Sequence, residues 1–259
     1  MKVRSLFYAL TVALAFVACS KEVPDTGEET KEPVISLNDW TEFEHGGFTF
    51  KLRTWLKDTP DALAAIRHME ADIDFINAII PEKALAVMKS HPVWLERDLN
   101  DGAAWYHLSK DWLASQGMMT QKAKCVEISN YVNYVSWSDQ NQPLMLLHEL
   151  CHLYHDQGVE GGMENSVIKA AYEHANSSGM YINTPYRYHT TDLEKDWSKT
   201  PKAYCLNNHH EYFTELSEAY WGENDYYPFN YEQLQEYDPQ GFDAMVAIWG
   251  PRADKQETE

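Results

Sequence analysis

Apolar residues along the chain fall into blocks of different period, and those periods predict its elements. After a turn at Gly46-Gly47, residues 48–56 (FTFKLRTWL) alternate apolar and polar, as a half-buried strand does. Thr59 and Pro60 open a helix, the hydroxyl capping free amides and the proline fitting the first turn. Its apolar positions follow at Leu63, Ile66, Met69, Ile73 and Ile76. The runs 84–90 (ALAVMKS) and 93–98 (VWLERD) predict a pair of strands. Residues 108–116 predict a short helix stopped by Gly117, and 123–135 a further strand. Residues 142–158 (QPLMLLHELCHLYHDQG) predict a strongly apolar helix closed by Gly158, and 164–179 an amphipathic one. Residues 180–203, rich in Tyr, Thr and Pro, read as loop. A second core helix spans 211–222, and two short helical segments lie around 231–237 and 241–249. Strands gather before the 142–158 helix and helices after it, which predicts an α+β domain over 39–259. The sequence has no internal repeat and no mid-chain membrane span.

The first 38 residues follow a different pattern. Lys2 and Arg4 precede an apolar run at 6–18 that is too short to span a bilayer comfortably, and Cys19 follows it. A charged start, an apolar middle and Ala18 before Cys19 resemble a bacterial lipoprotein signal. That resemblance implies cleavage after residue 18 and an acylated Cys19, which would anchor an exported protein to an outer or cell-surface membrane. Without lipidation the same signal predicts a periplasmic or extracellular protein. Residues 19–38, polar, acidic and proline-containing, then read as a flexible tether.

Composition adds limits. At 44% apolar and 24% charged residues the chain is globular rather than fibrous or disordered throughout. Its formal charge of −19 repels phosphate backbones, which argues against a nucleic-acid partner, and losing Lys2 and Arg4 with the signal makes the remainder more acidic. The same charge attracts basic substrates weakly. Beyond Cys19 the chain has Cys125, Cys151 and Cys205, with no C-x-x-C pair, so a cysteine zinc site is not indicated. A Cys125–Cys205 disulfide is permitted in an oxidising compartment, while Cys151 reads as a small buried apolar residue.

The candidate chemistry lies in HELCH at 148–152. His148 and His152 are four residues apart, so on a helix they project from one face, close enough to share an ion. Glu149 sits at the edge of that face, badly placed as a ligand but able to take a proton from a water acidified by the metal. A catalytic zinc needs a third protein ligand and an open position. His155 lies about 10.5 Å along the axis from His148, too far to converge. The metzincin pattern needs glycine at 155 and histidine at 158, the reverse of what stands here. Asp156 reads as holding the helix rather than the metal. Glu211, opening the second core helix, is the leading third ligand, with His209 and His210 as alternatives. Glu215, one turn later, is placed to accept the second ring N–H of His148.

HELCH, followed some sixty residues later by Tyr204, Glu211 and Glu215, resembles the gluzincin branch of zinc metallopeptidases, and within it the catalytic domain of anthrax lethal factor. The likeness covers roughly 123–222 and departs at Cys151, where that relative has glycine. It implies a zincin-like fold, a small mixed sheet on the HExxH helix with a helical C-terminal part. It implies one Zn2+ per chain held by His148, His152 and Glu211, with Glu149 as general base. Tyr204 would steady the oxyanion or protonate the leaving amine. The strand Cys125–Tyr131 would form the cleft rim and pair with an extended peptide. The resulting expectation is a monomeric, secreted endopeptidase acting on peptides or proteins; a lipoprotein keeping the fold only for binding is the rival.

Overall fold

The structure, a computed structural model, describes residues 39–187 and 198–252. The signal and tether read at 1–38 lie outside the described residues. β1 (Trp40–His45) and β2 (Phe48–Arg53) form an antiparallel hairpin. Gly46 turns the chain at φ +57, and a Cβ there would lie 2.4 Å from the Asn77 amide, so glycine is required. Phe48, Phe50 and Leu52 are buried while Thr49, Lys51 and Arg53 face the other way, the period-2 pattern expected of this segment.

α1 (Pro60–Ile79) begins as expected, with the Thr59 hydroxyl accepting from the Ala62 amide. Its buried stripe differs, however. Ala62, Ala65, Met69, Ile73 and Ile76 face the core, while Leu63 is exposed, because two alanines serve where the helix approaches its neighbours closely. The segment 84–90 belongs to α2 (Glu82–Met88), not to a strand. Ala84, Leu85 and Met88 bury one helical face, and a short apolar run does not distinguish the two periods. Its supposed partner is a strand, β3 (Val93–Leu95). β4 (Trp105–Tyr106) and α3 (Lys110–Ser115) follow. The strand expected over 123–135 shrinks to β5 (Val126–Ile128), because the Asn130 side chain accepts from Asn133 N and starts α4 (Tyr131–Gln140).

The five strands form a mixed sheet in the order β1-β2-β3-β5-β4, with β2, β3 and β5 parallel and both outer strands antiparallel. β5 is therefore interior and paired on both sides, so it is not the free edge expected of Cys125–Tyr131; the last strand on that side is β4. Phe50, Leu52, Val93, Leu95, Val126 and Ile128 join the main core with the helices. On the opposite face Trp40, Trp94 and Cys125 make a second cluster beside a buried ionic network. There Lys122 Nζ donates to Glu96 (3.0 Å) and to Glu127, Arg53 binds Glu96 through two nitrogens, and His107 donates to Glu127 (2.6 Å). Trp105 Nε1 also donates to Glu127 (3.0 Å), so the network fastens β4 to β5.

The remaining elements are mostly helical. α5 (Met145–Gln157) is buried on nearly every side and packs against α7 (His209–Trp221). Between them come α6 (Ser166–Ser178) and a hairpin of β6 (Ile182–Tyr186) and β7 (Ser198–Lys202), where a loop was expected; both strands carry proline and lack an alternating apolar pattern. α8 (Tyr231–Tyr237) and α9 (Pro239–Trp249) close the domain. Asp238 ties them to the core, accepting from Tyr181, Tyr212 and the Gly241 amide. The fold is α+β with a small mixed sheet. Among the described residues no helix is long and apolar enough to cross a membrane. Cys125, Cys151 and Cys205 are all buried free thiols. The permitted Cys125–Cys205 bridge is absent because Cys125 lies in the tryptophan cluster and Cys205 in the main core.

One buried carboxyl gives a stability prediction. Asp72 on α1 accepts from the fully buried Tyr134 hydroxyl, and burial pushes its pKa up to about 6 against that bond. A carboxyl raised in the fold contributes stability below its unfolded value near 3.8, and this is lost as pH rises through about 6. Asp72→Asn should therefore raise stability at pH 7.5 by about 1–2 kcal/mol and leave it unchanged or lower at pH 4. Urea titrations at both pH values check this; equal effects at both would contradict it.

Candidate metal centre

The site forms where α5 crosses α7. The Asn208 side chain caps α7 by accepting from the His210 and Glu211 amides (2.8 and 3.0 Å), so Glu211 sits in the first turn, where the helix dipole favours a carboxylate. On α5, His148 and His152 project from one face with ring centroids 5.0 Å apart. Glu211 Oε2 lies 3.2 Å from the Nε2 atoms of both. These three residues can place ligand atoms within 4.8 Å of one another.

Glu218 orients His148. Its Oε1 accepts from His148 Nδ1 at 2.5 Å, whereas Glu215 Oε1 stays 3.9 Å away. The role expected of Glu215 thus passes to Glu218, two turns after Glu211. Both carboxylates share that helical face, and the way α7 crosses α5 brings the later one to the ring. His148 donates Nδ1–H to Glu218 and turns Nε2 toward the Glu211 carboxylate, the face that a bound metal ion would share with the neutral imidazole. Three lone-pair donors facing one another need a positive charge between them, and two imidazoles with one carboxylate fit a zinc-type cation.

A proton on His148 supplies that positive charge when no metal ion does. Burial pulls the His148 imidazole down, but its hydrogen bonds to Glu211 and Glu218 outweigh this and hold it well above the ordinary histidine range. Burial raises Glu211, yet the bonds to His148 and His152 keep its carboxyl below the usual carboxylate range. Glu149 is buried and forms no hydrogen bond among the described residues, and burial lifts its pKa. Burial also lifts Glu215, Glu218 and Asp225, the last to about 8.

Two cavities of about 270 and 320 Å³ share Ala104, His148, Glu149 and Tyr204. The larger is lined by Glu211 and His152 on one side and by Ala104, Trp105 and Tyr106 on the other, so β4 borders the site. β4 is also tied to α5, with the Tyr106 hydroxyl donating to Asp156 (2.5 Å) and Lys124 joining at 2.6 Å. Asp156 thus links helix to sheet edge. Tyr204, in a short 3-10 turn, keeps 44% exposure with its ring 6.4 Å from that of His148. Burial and then Glu211 push its phenol up to about 12, so it stays protonated at neutral pH.

The alternatives to Glu211 lie outside the His148–His152–Glu211 group, although His210 borders the larger cavity. His209 Nε2 donates to the Met163 carbonyl (2.8 Å), and the His210 ring packs 5.7 Å from that of His155. His155 is completely buried and outside the His148–His152–Glu211 group. Three features of the site escaped the sequence reading. Glu218 had a signal, its spacing of seven from Glu211 on a core helix; β4 and Asp225 had none. Compared with protein-family models, curated proteins and solved structures, the chain matches none of them.

Glu218→Gln should weaken zinc affinity about 10- to 100-fold while leaving the fold intact, since an amide accepts the His148 proton less strongly than a carboxylate does. Competition with a fluorescent chelator measures this; Glu215→Gln producing the larger loss would reverse the assignment.

Proposed function

We propose that this chain is a zinc-dependent metallopeptidase with a zincin-like fold, resembling the gluzincins, exported and anchored through an acylated Cys19. The observation that carries the reading is Glu211 Oε2 lying 3.2 Å from both imidazole Nε2 atoms, with the unbonded Glu149 opening on the same cavity. His148, His152 and Glu211 would hold one zinc, which supplies a Lewis acid to polarise a carbonyl and acidify water. Glu149 takes a proton from the attacking water and returns it to the departing amine. Its burial supports that role, because a raised carboxyl releases the proton more slowly to bulk solvent and binds it more readily. Tyr204, half-exposed beside His148, donates its phenol proton as a hydrogen bond to the developing oxyanion.

β4 supports a peptide as substrate. β5 is hydrogen-bonded on both sides, whereas β4 is the last strand of the sheet and its residues line the cavity. An extended peptide adds there through backbone bonds, leaving selectivity to side-chain pockets.

Incubating the zinc-loaded chain with a mixed peptide library, followed by mass spectrometry, tests the reading. Defined cleavage products that vanish on chelation and return with zinc are expected. Intact peptides, with one class of ligand captured instead, would favour the binding lipoprotein over the enzyme.

A further inference from the structure

We infer that the smaller cavity beside the metal centre is a subsite for a lysine or arginine side chain of the substrate. The inference rests on the peptidase reading and names the substrate class that it lacks.

The cavity of about 270 Å³ adjoins His148 and Glu149, and its walls include Trp137, Met145 and Tyr226. Glu215 and Asp225 line it too, each 3% exposed. Glu215 Oε2 is buried and accepts no hydrogen bond, and the nearest basic group to its other oxygen is His148 at 3.9 Å. Among the described residues, Asp225 receives only a long bond from Gln142 Nε2 (3.5 Å) besides a bond to its own backbone. Neither carboxyl pairs with a lysine or arginine among the described residues. Glu218 does not relieve them, since it is occupied by His148 and adds a further negative charge.

Ionising two buried carboxyls without a counter-cation is costly, so burial keeps both toward the protonated form until a cation arrives. A cation entering from the substrate removes that cost. Its form follows from the walls. An indole, a phenol ring and a thioether suit an apolar stem, and aromatic faces attract a cation directly. A lysine or arginine side chain has both parts, an apolar stem and a charged tip that reaches the floor. A substrate N-terminal ammonium offers the same charge without a stem. The negative charge of the whole chain works in the same direction by attracting basic peptides.

The test uses the zinc-loaded full chain and a panel of N-acetylated peptides differing at one position near the cut: lysine, arginine, citrulline, norleucine or glutamate. Lysine or arginine at one position should raise kcat/KM over norleucine on the order of a hundredfold. Glu215→Gln and Asp225→Asn should each pull that ratio toward one. Free N-termini acting in place of the side chain would instead show as cleavage confined to unacetylated peptides, and would overturn the side-chain subsite. Cleavage at equal rates for lysine and norleucine would overturn the inference and leave the peptidase intact. Cleavage of no peptide would defeat the peptidase reading. In that event calorimetric titration with acetyl-Ala-Lys-Ala-amide against its norleucine counterpart decides the cavity, and equal or no binding overturns the inference. Because the wild-type ratio is itself decisive, a variant that fails to fold does not protect the proposal.

Discussion

Glu149→Gln should lower peptide hydrolysis by about 10²- to 10⁴-fold while zinc content stays at the wild-type level. The amide has the shape of the carboxylate, and Glu149 forms no hydrogen bond or ion pair in the described structure whose loss would disturb α5. What changes is the capacity to take a proton. Glu149 adjoins both cavities but lies outside the His148–His152–Glu211 group, so its loss separates chemistry from metal binding. Activity measured beside zinc content decides the matter. Hydrolysis surviving the change would remove Glu149 as the base, and loss of zinc with activity would mean that it serves the metal.

The second large effect lies behind the sheet. Lys122→Met should destabilise the chain by about 3–5 kcal/mol, because it leaves two buried carboxylates with less compensation. Lys122 is 3% exposed and sits between Glu96 and Glu127, with its ammonium over the rings of Trp40 and Trp94. Burial raises Glu127, but bonds from His107 and Lys122 outweigh it and keep the carboxyl low. Without Lys122, Glu127 retains His107 and Trp105, so β4 is loosened rather than freed. Urea unfolding measures the stability; a loss below about 1 kcal/mol would mean that Arg53 and His107 suffice to carry both carboxylates.

What the sequence disclosed and what it withheld divide along physical lines. The helix α5 was legible because thirteen residues of apolar pattern fix one period, and two histidines four apart on it must share a face. Glu211 was reached through its place at the start of a core helix and through a resemblance. Which carboxylate meets His148 was not legible, since Glu215 and Glu218 lie on one face and only the crossing of α5 and α7 separates them. α2 was misread because a short apolar run satisfies both periods. β4 has two residues and no pattern at all, so the resemblance placed the expected rim on Cys125–Tyr131, whose β-rich letters continue into a helix. Asp225 lies between helices, where only tertiary packing brings it to the cavity.

Zinc stoichiometry in the purified chain and in Glu211→Ala tests the convergence of the two imidazoles and the carboxylate most directly. Elemental analysis after zinc loading and desalting should give about one equivalent for the wild type and less than about a tenth for the variant. Undiminished zinc in Glu211→Ala, or none in a folded wild type, would contradict it.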